Sequence, residues 1–153
     1  MVYKVRLLGI SNVDATRLAW LLSRCRIQPA FVQNKFRGMA GWDSGVRSIC
    51  DANSIIYQAF WLISGNRALL GSAELGAAAA WRKKTPAQMI VRFAVQDHMV
   101  ALTGSTNMDH AAENIELDFV LSTREMAAIK SAGQGLGHTS STAVQARFWN
   151  GLR

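Results

Sequence analysis

Four pairs of hydrogen-bonding residues stand out, each at the end of a short apolar run: Ser11 and Asn12, Gln33 and Asn34, Tyr57 and Gln58, Ser105 and Thr106. Hydroxyl and amide groups in such places recognise a ligand through neutral donors and acceptors. The thiols add no second chemistry. Cys25 and Cys50 have neither metal-ligand spacing nor a secretory setting, so they read as structural thiols and no metal site is expected. His98 follows an apolar helix face and reads as a surface or loop residue.

The runs that carry these pairs alternate in period. Residues 5–10 are strand-like, and residues 14–25 follow with Leu18, Leu21, Leu22 and Cys25 at helical spacing. Gln28 and Pro29 end that helix, and residues 30–33 form a second short strand. Ser44–Ala52 reads as a helix with Val46, Ile49 and Cys50 on its apolar face. Residues 54–60 are the most β-prone stretch of the chain. A loop with Trp61, Ser64, Gly65 and Asn66 leads into the alanine-rich helix of SAELGAAAAWRKK.

Next, Thr85 is an N-cap, Pro86 takes the first helical position and Gln88 completes a capping box. Residues 99–103 make a fourth strand, followed by the turn Gly104-Ser105-Thr106 and a helix over 107–114. A second capping box, Ser122 to Glu125, opens a last helix to about Lys130. From Ala132 the composition turns to Gly and Ser and reads as a loosely ordered tail. Gly133, Gly135 and Gly137 follow no strand, so their spacing is no dinucleotide fingerprint.

Strand and helix alternating four times predict an α/β fold of four parallel βα units over residues 1–131, with a Gly/Ser-rich tail over 132–153. In such a sheet ligands bind at the C-terminal ends of the strands, where all four polar pairs fall.

Bulk properties narrow the function classes. The chain has 153 residues, half of them hydrophobic, enough for a core and too apolar for disorder. No apolar run spans a bilayer and residues 1–6 are too short and polar for a signal peptide, so a cytoplasmic protein with no membrane partner is expected. The net charge of +7 suggests nucleic acid, but Lys and Arg are scattered, and Arg82-Lys83-Lys84 ends a helix where cations complement the dipole. A preference for an anionic small ligand fits the charge equally well.

The segments LGISNVDATRLAWLL, IQPAFVQNKF, IIYQAFW, TPAQMIVRFAVQDHMVALTGST and HAAENI resemble, in that order, the C-terminal half of the aldo/keto reductase family. Those enzymes are (β/α)8 TIM barrels that use NADPH, less often NADH, to reduce aldehydes and ketones. The resemblance covers roughly residues 5–130 and implies a half-barrel of four βα units with a C-terminal helix.

It also implies roles for single residues. Ser11 and Asn12 would bond the nicotinamide carboxamide, with Gln33 completing the cradle, and Tyr57, beside Gln58, would stack on the nicotinamide ring. Ser105, with Gly104, Thr106 and the amides of the turn and helix N-terminus, would hold the adenosine-side phosphate. Glu113 and Asn114 would touch the adenine. Plainer readings stand beside these: Asn12, Ser105 and Thr106 also suit helix caps, and Tyr57 suits core packing. Gln33 is an amide inside an apolar strand, which costs free energy unless it is paired.

Two departures from the family pattern carry weight. Where NADPH-dependent members place a Lys and an Arg around the 2′-phosphate, this chain has Gly104 and His110, the first uncharged and the second only partly charged near neutral pH. NADP(H) is still expected ahead of NAD(H), through backbone amides and Thr106, with a shift toward NADH as the alternative. The catalytic Asp, Tyr, Lys and His of the family lie on the first four strands, which have no counterpart here. The expected function is therefore that of an NAD(P)(H)-dependent carbonyl oxidoreductase truncated to its cofactor-binding half. The alternative is a non-enzymatic remnant acting as a nucleotide-binding or interaction module. Open half-barrel edges make a homodimer a candidate partner, with a small carbonyl substrate if the site is complete.

Overall fold

Each strand hands the chain to a helical segment that brings it back to the same end of the sheet, so all four strands run parallel. The computed structural model describes residues 4–136. Strands β1 (Gly9–Ser11), β2 (Phe31–Lys35), β3 (Ile56–Phe60) and β4 (Val100–Ala101) lie side by side in chain order. Helices α1 (Ala15–Leu22) and α2 (Ser44–Ala52) follow β1 and β2. After β3 come α3 (Arg67–Leu70), α4 (Ala73–Trp81) and α5 (Pro86–Gln96), and after β4 come α6 (Met108–Glu113) and α7 (Thr123–Gly135).

The local signals explain most of the boundaries. Both capping boxes form: Gln88 N–H donates to Thr85 Oγ1 and Thr85 N–H to Gln88 Oε1, and Ser122 and Glu125 repeat the exchange. Helix α1 is capped by Asp14, whose Oδ1 accepts from Arg17 N–H at 2.8 Å, so the capping reading of Asn12 is not met. Asn12 instead ends β1 in the left-handed region, φ 54°. Strand β1 starts at Gly9 rather than at Val5, because its one neighbour, β2, starts at Phe31. Val5 and Leu7, which have no layer to pack on, are exposed.

Helices cover one face of the sheet. Val32, Tyr57 and Ala59 point into that layer and meet Leu18, Val46, Cys50, Ile90 and Phe93. At its centre Trp42 packs 4.8 Å from Phe36 and 5.1 Å from Phe93, measured between ring centroids. Burial of each such side chain contributes about 1.5–3 kcal/mol. On the opposite face Ile56 and Val100 remain 45% and 42% exposed, so no described element covers it.

Helix α7 corrects the reading of the glycine-rich segment. It runs to Gly135, past Lys130, and Ala132 and Gly133 are buried within it. A Cβ at Gly133 would lie 2.1 Å from Trp42 Cζ2, and one at Gly38 would lie 2.5 Å from Gly133 Cα. The two glycines let α7 close onto the 3₁₀ turn Gly38–Asp43, and Trp42 Nε1 donates to Lys130 O at 2.8 Å. Close approach, not looseness, is the reason for glycine here. Gly137 and the rest of the predicted tail lie outside the described residues.

The cationic run after α4 has more specific work than complementing a dipole. Arg82 makes a two-pronged pair with Glu125, Nη2 to Oε2 at 2.6 Å, and Lys84 reaches Asp118 at 2.7 Å. These contacts tie the α4 end to the α7 N-terminus and to the segment before it.

Candidate functional site

Residues opposite one another in a parallel ladder face the same way, and neighbours along a strand face opposite ways. Ser11 lies opposite Gln33, Gln33 opposite Gln58, and Gln58 opposite Val100. These four form one row across the uncovered face. Ile10, Val32 and Tyr57 form the row behind it, with Val32 and Tyr57 buried among the helices.

Within the front row Gln33 Nε2 donates to Gln58 Oε1 at 3.0 Å. The bond meets the pairing requirement that an amide in an apolar strand imposes. It leaves Gln33 Oε1 as an acceptor and Gln58 Nε2 as a donor, the complement of a primary amide. Asn12 Nδ2 donates to Ser11 Oγ at 3.3 Å, which places the first predicted pair beside the row. A cleft of about 220 Å³ opens over Gly9, Ser11, Phe31, Gln33 and Gln58.

Tyr57 requires a correction. Its ring is 3% exposed on the helix side, and its hydroxyl donates to Asp43 Oδ2 at 2.8 Å. Burial is the main reason its phenol is held far above the ordinary value, and the Asp43 bond adds to it. The ring therefore has no free face for stacking, and the core-packing reading holds. Asn34 faces the same way: its amide donates to Val13 O and Asp43 Oδ2, both at 2.7 Å, and accepts from Val13 N–H at 3.0 Å. Asp43 reaches this network because Trp42 and Asp43 turn through the left-handed region, φ 58° and 49°. Period two along β3 is the signal that separates Tyr57 from Gln58 and selects Phe60 as the aromatic on the ligand side. Phe60 sits half-buried opposite Lys35.

At the far edge Gly104, Ser105, Thr106 and His110 are exposed, while Glu113 and Asn114 are half-buried. They lie past β4, three strand spacings or about 14 Å from the β1 end. Three of the amides at the start of α6 already have side-chain acceptors. Asn107 caps α6, its Oδ1 accepting from Asp109 N–H at 2.8 Å and His110 N–H at 3.3 Å, and Ser105 Oγ accepts from Asn107 N–H at 3.0 Å. Neither Ser105 nor Thr106 is the cap.

A larger cleft, about 390 Å³, lies between the two groups and is lined by Trp61, Ser64, Arg67, Leu102, Thr103 and Gly104, among others. Asn66 braces its wall: buried, it donates to Phe36 O and Leu62 O and accepts from Gly38 N–H, all within 2.9 Å. Lys35 Nζ stands 5.0 Å and Arg37 Cζ 5.5 Å from the Trp61 ring centroid. The spacing of Lys35, Arg37 and Arg67 in sequence carries no sign of this grouping. Cys50 is buried, which with Asp51 and Asp43 nearby pushes its thiol up to about 11, and both cysteines are free. Among the described residues no cluster of His, Cys, Asp and Glu suits a metal ion, and no helix is long and apolar enough to cross a membrane.

The family model "Aldo/keto reductase family" matches residues 4–134. The chain belongs to the aldo/keto reductase family. Among its curated relatives is the 9,11-endoperoxide prostaglandin H2 reductase of Trypanosoma cruzi, 33% identical over 129 residues, covering 82% of this chain and 45% of the relative. Prostaglandin F synthase 2 of Bos taurus is 28% identical over 86% of this chain and 47% of its own. Of the solved structures, MGS-M4, an aldo-keto reductase from a Medee basin deep-sea metagenome library, superposes with a TM-score of 0.79 at 22% identity, over 91% of this chain and 51% of that one. This reductase-family chain thus spans about half the length of the relatives it matches, and its four parallel βα units have the fold of half a (β/α)8 barrel.

Proposed function

We propose that this chain binds a nicotinamide dinucleotide across the C-terminal ends of its strands and acts as the cofactor-binding half of a carbonyl oxidoreductase. The observation that carries the reading is the in-register row of Ser11, Gln33 and Gln58, where the acceptor Gln33 Oε1 and the donor Gln58 Nε2 fit a carboxamide. In this arrangement Gln33 Oε1 accepts from the carboxamide NH2 and Gln58 Nε2 donates to its oxygen, with Ser11 and Asn12 at the rim. Phe60 takes the stacking role, being the aromatic residue on that face. Thr106, His110, Glu113 and Asn114 serve the adenosine side, about 14 Å away across the sheet.

When bound, a reduced nicotinamide supplies a hydride to a carbonyl carbon. The chain's own residues hold and orient the ring and exclude water from one of its faces. The proton for the carbonyl oxygen comes from outside this row: the phenol of Tyr57 is buried and bonded to Asp43, and the front row carries no titratable side chain. That last feature also favours the second reading, a nucleotide-binding module without chemistry. NADP(H) has family habit in its favour, and NAD(H) has the uncharged Gly104. Two free cysteines suit a reducing compartment such as the cytoplasm.

Calorimetric titration of NADPH and NADH into the chain, with Gln33→Ala as control, tests the proposal. Binding weakened about tenfold in the variant supports it, and no binding of either cofactor sinks it. Carbonyl-dependent oxidation of NADPH by the purified chain would rule out the module without chemistry.

A further inference from the structure

The side chain of Asn34 acts as an extra rung of the ladder between β1 and β2. Buried, it grips a single residue twice: Nδ2 donates to Val13 O at 2.7 Å and Oδ1 accepts from Val13 N–H at 3.0 Å. The backbone ladder stops one residue earlier, where Asn12 N–H donates to Gln33 O at 3.1 Å. Asn12 is therefore held on both sides, by its own N–H and by the N–H of the peptide that follows it. Between those two bonds its backbone takes φ 54°, a left-handed conformation that Asn tolerates better than most residues. The orientation of the Asn34 amide is fixed as well. Reversed, it would turn its oxygen toward Val13 O and the Asp43 carboxylate, both of which only accept. Asp43 Oδ2 takes Nδ2 at 2.7 Å and the Tyr57 hydroxyl at 2.8 Å.

We propose that Asn34 and Asp43 are positioning residues for the carboxamide end of the site. Neither reaches the ligand side of the sheet, since Asn34 faces the helix layer while its neighbour Gln33 faces the front row. Their effect passes through the backbone of Val13 to the turn at Asn12. That turn carries the Ser11 and Asn12 side chains, joined by their own bond of 3.3 Å, to the rim of the Gln33–Gln58 pair. With the grip removed, nothing beyond Gln33 O holds the left-handed turn, and the rim must be ordered by the ligand at a cost in affinity. Asp43 acts one step further back, by holding the Asn34 amide the right way round. Tyr57 stands outside this chain of effects. Without its hydroxyl, Asn34 keeps its bonds to Val13 and to Asp43, so Tyr57 serves as a control for stability alone. The carboxamide as the group being placed rests on the proposed function; the grip on Val13 stands without it.

The test is calorimetry on the full chain with nicotinamide mononucleotide and ADP as separate probes, one for each end of a dinucleotide. The variants are Asn34→Ala, Asp43→Ala, Asp43→Asn and Tyr57→Phe, with thermal melting to check that each folds. Amide hydrogen exchange at Val13 and at Ile90 separates local release of the turn from general loosening of the core. The expected result for Asn34→Ala is mononucleotide binding weakened about tenfold and ADP binding unchanged. Exchange should quicken at Val13 and not at Ile90. Asp43→Ala should give a smaller loss of the same kind. Asp43→Asn should restore most of it, because its side-chain oxygen still accepts from Asn34. Tyr57→Phe should lower the melting temperature and leave mononucleotide affinity as it was. Undiminished mononucleotide binding in folded Asn34→Ala overturns the proposal, and so does an equal loss for both probes. If mononucleotide binding is lost in Gln33→Ala but kept in Asn34→Ala, the positioning role falls and the proposed function stands. If the wild-type chain binds no nicotinamide compound at all, the proposed function falls and takes this role with it.

Discussion

Gln33 and Gln58 stand opposite each other on adjacent parallel strands and share one hydrogen bond, Nε2 to Oε1 at 3.0 Å. The bond turns two flexible amides into one fixed unit with an acceptor at one end and a donor at the other. Replacing Gln58 by Glu keeps the acceptor for Gln33 and removes the donor. Gln58→Glu is therefore expected to leave the melting temperature nearly unchanged and to weaken binding of nicotinamide mononucleotide or NADH about tenfold, as loss of one ligand hydrogen bond does. Equal affinity in titrations of the two proteins would remove the carboxamide reading of the pair.

Tyr57 and Phe60 separate stability from binding. Tyr57→Phe deletes the bond to Asp43 and is expected to cost about 1–2 kcal/mol in urea denaturation, with cofactor affinity unchanged. Phe60→Ala acts the other way on the ligand: removal of a stacking partner weakens NADH binding by about 1 kcal/mol, read by fluorescence titration.

Acid stability should depend on Glu125. Burial raises its pKa, but the Arg82 guanidinium and the Ser122 hydroxyl and N–H more than offset this and hold it below the usual carboxylate range. A depressed pKa contributes stability that is complete above the unfolded value, about 4.3, and is lost as pH falls through the folded value. Denaturation curves from pH 7 down to pH 3 should show that loss. Glu125→Gln should be less stable at pH 7 by about 2 kcal/mol and show a flatter acid limb.

Gly133→Ala places a methyl group where Trp42 already stands, and overpacking of this kind costs about 1–3 kcal/mol. A Trp42→Leu partner relieves the clash, so the double variant should lose less than the sum of the two single changes. Strict additivity in a double-mutant cycle would contradict the packing described here.

The parts of this architecture legible in the sequence were those written locally. Both capping boxes, the helix Ser44–Ala52 and the alternation of strands and helices rest on residues a few positions apart. Tyr57 and Gln58 both offer hydrogen-bonding groups, but adjacent residues on a strand point to opposite faces, so a resemblance that aligns residues one by one does not say which of the two faces a ligand. Gly133 misled because glycine marks both looseness and close contact, and only a partner distant in sequence decides which. Lys35 and Arg37 belong to a different segment from Trp61, and their approach to its ring is a product of the fold.

The indole of Trp42 finds its hydrogen-bond acceptor 88 residues further on, at Lys130 O. During synthesis all four strands therefore emerge before the group that completes their core. Until α7 is made, the aromatic cluster of Phe36, Trp42 and Phe93 has an open side. Nascent chains halted before residue 130 should be caught by chaperones and proteases, while those extended past Gly135 should resist them.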